Sequence, residues 1–317
     1  MRNRKELLKL ISAFAAVYII WGSTYLAIRF AIETFPPFLM AGVRFAIAGI
    51  VLFLFSRKKT NEPVKPVHIK SAFITGGFLL LGGNGGVVWA EQFVPSGLTA
   101  VLIATVPLWI VLLSWFIKNG DKPDIKTIAG VLLGFAGLIF LINPFDTGNM
   151  NVNIAGALVI LLASLSWASG TLYTRHAIQH HSKLTAAALQ MFCGGILLML
   201  TGLVSGEVAE INIQGVSLKS LLAFLYLIFV GSIIGFTSYI YLISAAGPSR
   251  ASTYAYVNPV VAVFLGWLMA GEIINIRIIL ATVVIIISVA IINSNINVHG
   301  VLKKRLKQSR NKKADEV

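Results

Sequence analysis

Trp21-Gly-Ser-Thr-Tyr-Leu-Ala-Ile-Arg29-Phe-Ala-Ile32, read beside Trp167-Ala-Ser-Gly-Thr-Leu-Tyr-Thr-Arg175-His-Ala-Ile178, decides the architecture. At an ungapped offset of 146 the two stretches share Trp, Ser, Leu, Arg, Ala and Ile, six positions of twelve. Apolar helices match by chance at Leu and Ile, but a matched Trp and a matched Arg carry more weight. The same offset pairs Gly49 with Gly195. Further along, an offset of 152 pairs Pro107 with Pro259, Val111 with Val263, Leu113 with Leu265 and Trp115 with Trp267. A six-residue insertion around Ser205–Leu218 accounts for the change. The chain is therefore read as one unit used twice.

Each unit is too apolar for water. Of the 317 residues, 57% are hydrophobic and 12% charged, against about 45–50% and 25% in a soluble domain. A bilayer crossing takes about 20 mostly apolar residues. Ten such runs follow one another, at 9–30, 37–56, 70–91, 95–117, 125–142, 153–174, 184–204, 219–242, 249–270 and 276–294. The expected fold class is an all-α integral membrane protein of ten transmembrane helices. Five spans is an odd number, so the second copy must enter the membrane from the opposite side. That makes two inverted five-helix repeats, over 8–146 and 152–296, followed by a basic, disordered tail at 297–317. The first run follows Arg2, Arg4, Lys5 and Lys9, as a signal peptide would. No cleavage site interrupts it and a later segment repeats it, so it is read as a span.

The net charge of +14 does not point to nucleic acid, because the charge sits in short connections and tails. With the N-terminus inside, inner segments hold 22 of the 26 Lys and Arg. That bias puts both termini of the expected bacterial inner-membrane protein in the cytoplasm. The single Cys193 permits no internal disulfide.

Several motifs then acquire a likeness. Trp21-Gly-Ser-Thr-Tyr, Pro36-Pro37 with Arg44-Phe45, and Gly83-Asn84-Gly85 occur in the first three spans. Val94-Pro-Ser-Gly-Leu-Thr-Ala100 with Thr105-Val-Pro-Leu108, and Tyr254-Ala-Tyr-Val-Asn-Pro259, follow in the fourth and ninth. Together they resemble the EamA family of the drug/metabolite transporter superfamily, its bacterial exporters above all, over about residues 9–295. The resemblance implies a ten-helix basket, cytoplasmic termini and export of amino acids or other small metabolites or drugs.

The residues also speak for themselves. A polar group in hydrocarbon needs a partner or a watery cavity. Arg44 is the one charge well inside a span. It fits either a partner for a substrate carboxylate or a snorkelling, helix-pinning arginine. Asn84, among Gly82, Gly83, Gly85 and Gly86, suggests a cavity-lining amide on a helix that breaks or packs closely. Pro107 and Pro259 occupy matching places, and a pair of interrupted helices marks a site or hinge. Thr105 and Trp109 flank the first, Tyr254 and Asn258 the second. Trp21 and Trp167 fall near mid-membrane rather than in an interfacial belt. They offer either aromatic walls or core packing. Thr24, Tyr25, Trp89, Thr171 and Tyr239 complete the expected pore lining. Glu91 reads as an interfacial carboxylate near the outer end of the third span. His176, His180 and His181 read as a solvated cluster at an inner helix end, not a metal site.

None of the 12 acids is placed at mid-membrane, which favours facilitated transport, with Glu33 or Glu91 left for coupling. No catalytic cluster and no GxxxxGK[ST] loop occurs, so neither an intramembrane enzyme nor direct use of ATP is expected. Import or exchange of phosphorylated sugars or nucleotides is the alternative, and it asks for more buried cations than Arg44. No cofactor is expected. The expected partners are the lipid bilayer and a small-molecule substrate, with homo-oligomerisation left open.

Overall fold

A computed structural model describes residues 4–58, 60, 62–116, 125–142, 153–245 and 253–294. The basic tail and parts of the connections around 121 and 250 lie outside the described residues. The described chain is helical, without strands. Its helices are α1 (Arg4–Ala31), α2 (Pro37–Arg57), α3 (Pro66–Gly76), α4 (Gly86–Ala90), α5 (Ser96–Ile103), α6 (Val106–Phe116), α7 (Ile125–Ile142), α8 (Ile154–His176), α9 (Lys183–Val204), α10 (Leu218–Tyr226), α11 (Gly235–Ala245), α12 (Tyr254–Ala270) and α13 (Ile276–Ser294).

Seven stretches of the described chain are long and apolar enough to cross a membrane, and 125–141, 257–270 and 276–291 are shorter apolar helices. Large side chains such as Leu54, Phe55, Phe116, Leu162 and Val204 point outward. Water would not tolerate so much exposed apolar surface, whereas lipid does.

Two crossings contain a wider helical turn. A π-helical stretch, Gly77–Gly85, joins α3 to α4, and another, Leu227–Ile234, joins α10 to α11. The first holds Asn84, where the glycines announce irregular packing. A Cβ on Gly83 would lie 2.8 Å from the Trp167 ring, so only glycine lets α8 approach this closely. The second stretch has no comparable glycine run and is not foreseen.

The fourth crossing breaks at Ala104–Thr105, two residues before Pro107, where α5 ends and α6 begins. Its counterpart does not break: α12 runs through Pro259. The expected pair of interrupted helices is therefore interrupted once. Pro259 is only six residues into its helix, where few carbonyls lie behind it to be deprived of a donor.

Helix starts are capped from nearby and from far away. Asn153, Ser182 and Ser217 accept from backbone N–H groups of their own first turns. Two other caps come from the second half of the chain. The Glu207 carboxylate accepts from Phe38 N (3.0 Å) and Leu39 N (2.8 Å) at the start of α2. Glu272 accepts from Ser96 N (2.7 Å), Ser96 Oγ (2.7 Å) and Gly97 N (2.9 Å) at the start of α5. A carboxylate at a helix N-terminus satisfies orphan donors and opposes the helix dipole.

The main packing pairs are α2 with α9, α7 with α13, α1 with α12, and α8 with α5, α6 and the first π stretch. The α2–α9 contact is backbone-close. A Cβ on Gly49 would lie 2.6 Å from Phe192 N, and one on Gly195 2.6 Å from Ala46 N.

Candidate functional site

The expected lining residues fall into separate groups. Trp21 of α1 meets Tyr239 of α11 at 5.0 Å and Tyr254 of α12 at 4.9 Å between ring centroids, with Phe236 at 5.7 Å. Tyr239 and Tyr254 also touch, at 5.6 Å. Trp21 Nε1 donates to the Gly231 carbonyl (3.3 Å) in the second π stretch, whose widened turn supplies the acceptor. Thr24 donates to the Trp21 carbonyl and sets its methyl toward Gly231. Tyr25, one position on, packs into the central apolar cluster.

Arg44 is buried and bridges the halves. Its Nε donates to Ser232 Oγ at 2.9 Å, while Nη1 has no hydrogen-bond partner. Its guanidinium also lies 4.5 Å from the centroid of the Phe45 ring. Both readings of this residue thus keep a basis: one nitrogen pins a neighbouring helix and another is unused.

A second group belongs to α4–α8. Trp167 packs on Gly83, and Thr171 donates to the Trp167 carbonyl (2.8 Å) along the same helix. Trp109 meets Phe135 edge-on at 5.4 Å, and its Nε1 is buried and unpartnered. Thr105 is fully buried, its hydroxyl turned back to the Leu102 carbonyl. Trp89 packs on Phe93 at 5.2 Å. Trp21 and Trp167 make no ring contact with each other. Asn84 Oδ1 and Asn258 Oδ1 are buried without partners, as are the Arg44 and Trp109 nitrogens. Buried polar atoms are ordinarily hydrogen-bonded. These four belong to the expected lining, and each has capacity for a solute.

Two readings change. Glu91 is not an interfacial carboxylate in the exposed sense, because the structure buries it completely. Its position near a span end gives depth along the helix, but the turn at Glu91–Pro95 folds it under Arg29, whose Nη1 bonds the Glu91 carbonyl at 2.6 Å. The histidine cluster is not uniformly solvated either. His180 is buried, 5.3 Å from the His68 ring and 3.8 Å from a Glu62 carboxylate oxygen, while His176 and His181 are exposed. His68, Ser71, Thr75, His180 and Gln190 line a small cavity at that end of the bundle, none of them an expected site residue.

The EamA-like transporter family matches residues 8–143 and again 154–294. The chain belongs to the EamA-like transporter family. It is 43% identical over 274 residues to the "Uncharacterized inner membrane transporter YedA" of Escherichia coli (strain K12), covering 84% of this chain and 85% of that one. It is 30% identical over 285 residues to the "Uncharacterized transporter YoaV" of Bacillus subtilis (strain 168), covering 88% and 94%. A solved crystal structure, 18% identical, aligns over 94% of this chain and 98% of its own with a TM-score of 0.59, which shows a shared fold. Family membership points to a membrane transporter of a small molecule. It meets the expectation drawn from the Trp21, Arg44, Asn84, Pro107 and Pro259 motifs.

Proposed function

We propose that the protein exports amino acids or other small metabolites and drugs across the cytoplasmic membrane, by alternating access between two inverted five-helix halves. The observation that carries this reading is the pairing of equivalent helices. Under the proposed repeat, α2 corresponds to α9 and α7 to α13, and each packs on its own counterpart. Further contacts come in matched pairs: α1 on α12 answers α8 on α5 and α6, α9 on the first π stretch answers α2 on the second, and α1 on α10 and α11 answers α8 on α3 and α4. A two-fold axis in the membrane plane generates that pattern. The two family matches, and one π stretch in each half, agree with it.

In this reading the halves, at 8–146 and 152–296, rock about the α2–α9 seam, and Pro107 serves as a hinge at the α5–α6 break. Substrate lies between Trp21, Tyr239 and Tyr254 on one side and Trp167, Asn84 and Trp109 on the other. The aromatic rings suit apolar or cationic groups, and Arg44 Nη1 suits a carboxylate. Phosphorylated sugars or nucleotides fit less well, because Arg44 is the one buried Arg or Lys among the described residues. The test is flux of a panel of radiolabelled amino acids into liposomes holding the purified protein, together with tolerance of overexpressing cells to toxic analogues. Protein-dependent flux of at least one compound is expected. Raised tolerance without any such flux would defeat the assignment.

A further inference from the structure

α3 and α9 approach most closely one to two turns in from a shared cavity. A Cβ on Gly76 would lie 2.8 Å from Gly194 N, and one on Gly194 would lie 3.1 Å from the Gly76 carbonyl oxygen. Toward the starts of both helices the cavity opens between them, walled in part by the short side chains of Ala72 and Ala186. It admits a guest the size of one water molecule or one monatomic ion. It belongs to neither group of expected lining residues.

The polar groups around it are arranged as donors. His68, Ser71 and Thr75 follow at spacings of three and four residues, on one face of α3. All three are buried. Thr75 Oγ1 has no hydrogen-bond partner. Thr171, Thr174, Thr201 and Thr282 each turn the hydroxyl back to the carbonyl four residues earlier, and Thr75 does not. His68 Nδ1 accepts from Lys65 N at 3.2 Å, so the neutral ring carries its hydrogen on Nε2. Gln190 of α9 adds an amide from the second half.

His180 lends the wall only its ring. Its Nδ1 accepts from Ser182 N at 3.1 Å, and its Nε2 faces the Glu62 carbonyl at 3.4 Å and carboxylate at 3.8 Å. The Glu62 carboxylate is turned to His180 and His181. The same bonds disfavour a metal ion. In both rings a backbone N–H occupies Nδ1 and the hydrogen sits on Nε2, which leaves no nitrogen lone pair to bind a metal. An anion is favoured instead. Two hydroxyls, an amide and an imidazole N–H can all donate to one small ion. The starts of α3 and α9 add the positive ends of two helix dipoles.

We infer that the α3–α9 cavity binds one monatomic anion, chloride from the adjoining solution. Its ligands are the Thr75 and Ser71 hydroxyls, His68 Nε2–H and the Gln190 amide. They come from both halves of the chain, so the bound ion ties α3 to α9. Phosphate and other polyatomic oxyanions exceed the space.

Two measurements on the full chain test this. The first is thermal melting of the purified protein as sodium chloride replaces sodium gluconate at constant ionic strength. An ion bound only by the folded state raises the melting temperature with the logarithm of its concentration, here by about 2 °C or more per tenfold once the site fills. The wild type and Glu210→Gln, an exposed control, should show that rise. Thr75→Val, which keeps the side chain's shape, and Gln190→Leu should stay flat. No rise in the wild type, or the same rise in both cavity variants, overturns the inference. The second is anomalous diffraction from crystals soaked in sodium bromide. A bromide peak among Ser71, Thr75 and Gln190 is expected in the wild type. An ordered water there, without anomalous signal, overturns the inference. Should Thr75→Val fail to fold, Gln190→Leu and the bromide crystals decide.

Discussion

Arg44 is tied at Nε to Ser232 and untied at Nη1, so its two roles can be separated by mutation. Arg44→Ala removes both. If the free nitrogen binds a carboxylate, transport of anionic and zwitterionic solutes should fall about 10–100-fold, the worth of one charge-assisted hydrogen bond. Solutes without a carboxylate should lose much less. Ser232→Ala removes the tie across the halves together with the hydrogen bond that Ser232 Oγ donates to the Leu227 carbonyl (2.9 Å), at a cost of about 1–3 kcal/mol in stability, read by thermal melting in detergent. Solute preference should then be unchanged. Equal loss for all solutes in Arg44→Ala, reproduced by Ser232→Ala, would make Arg44 a pinning residue alone. Trp21 shows the same economy of roles. Its ring meets three others, and its one polar atom is spent on the Gly231 carbonyl, so it serves a solute through its face and edge rather than as a donor.

The elements divide into what pattern can announce and what only proximity creates. The apolar runs were legible because lipid demands an unbroken stretch of fixed length, and the Gly82–Gly86 run announced an irregular third span because glycine there permits close approach. The π stretch at Leu227–Ile234 carries no such mark, since its sequence is uniformly apolar apart from Gly231 and Ser232. The caps from Glu207 and Glu272 were illegible for another reason: each acts on a helix about 170 residues earlier, and no local pattern encodes that reach. The burial of Glu91 and His180 is illegible in the same way, because sequence gives depth in a span and not the neighbours that cover it. The candidate lining was named residue by residue, but its split into an α1–α11–α12 group and an α4–α8 group was not. The long-range caps predict stability effects. Glu207→Ala or Glu272→Ala should each destabilise by about 1–3 kcal/mol, by loss of two or more hydrogen bonds at a helix start. The α2–α9 seam predicts more. A leucine in place of Gly49 places side-chain atoms on the backbone of α9 at Phe192. Its cost should be 3 kcal/mol or more, above the usual ~1–3 for overpacking, because backbone cannot rotate aside. Melting temperature and the yield of folded protein check both.

At the scale of the molecule the decisive matter is the sense of the two halves. The connection after α2 and the connection after α9 are counterparts under the proposed repeat. If the halves are inverted they must lie on opposite sides of the membrane; if the halves run in parallel they must lie on the same side. Lys58 and Glu210 are exposed in those two connections. The only native thiol, Cys193, is buried and gives little background. Lys58→Cys and Glu210→Cys can therefore be labelled singly in intact cells with a membrane-impermeant maleimide, before and after permeabilisation of the inner membrane. Glu210→Cys should label from outside at once, because its side of the bundle carries few basic residues. Lys58→Cys should label only after permeabilisation, because it sits in the Arg57–Lys70 stretch that holds five of the basic residues. Labelling of both from one side would remove the inversion and with it the near-equivalence of the two states. Alternating access would then need another source of bistability. Opposite labelling would leave the α2–α9 and α7–α13 self-pairings as the natural axis of the exchange.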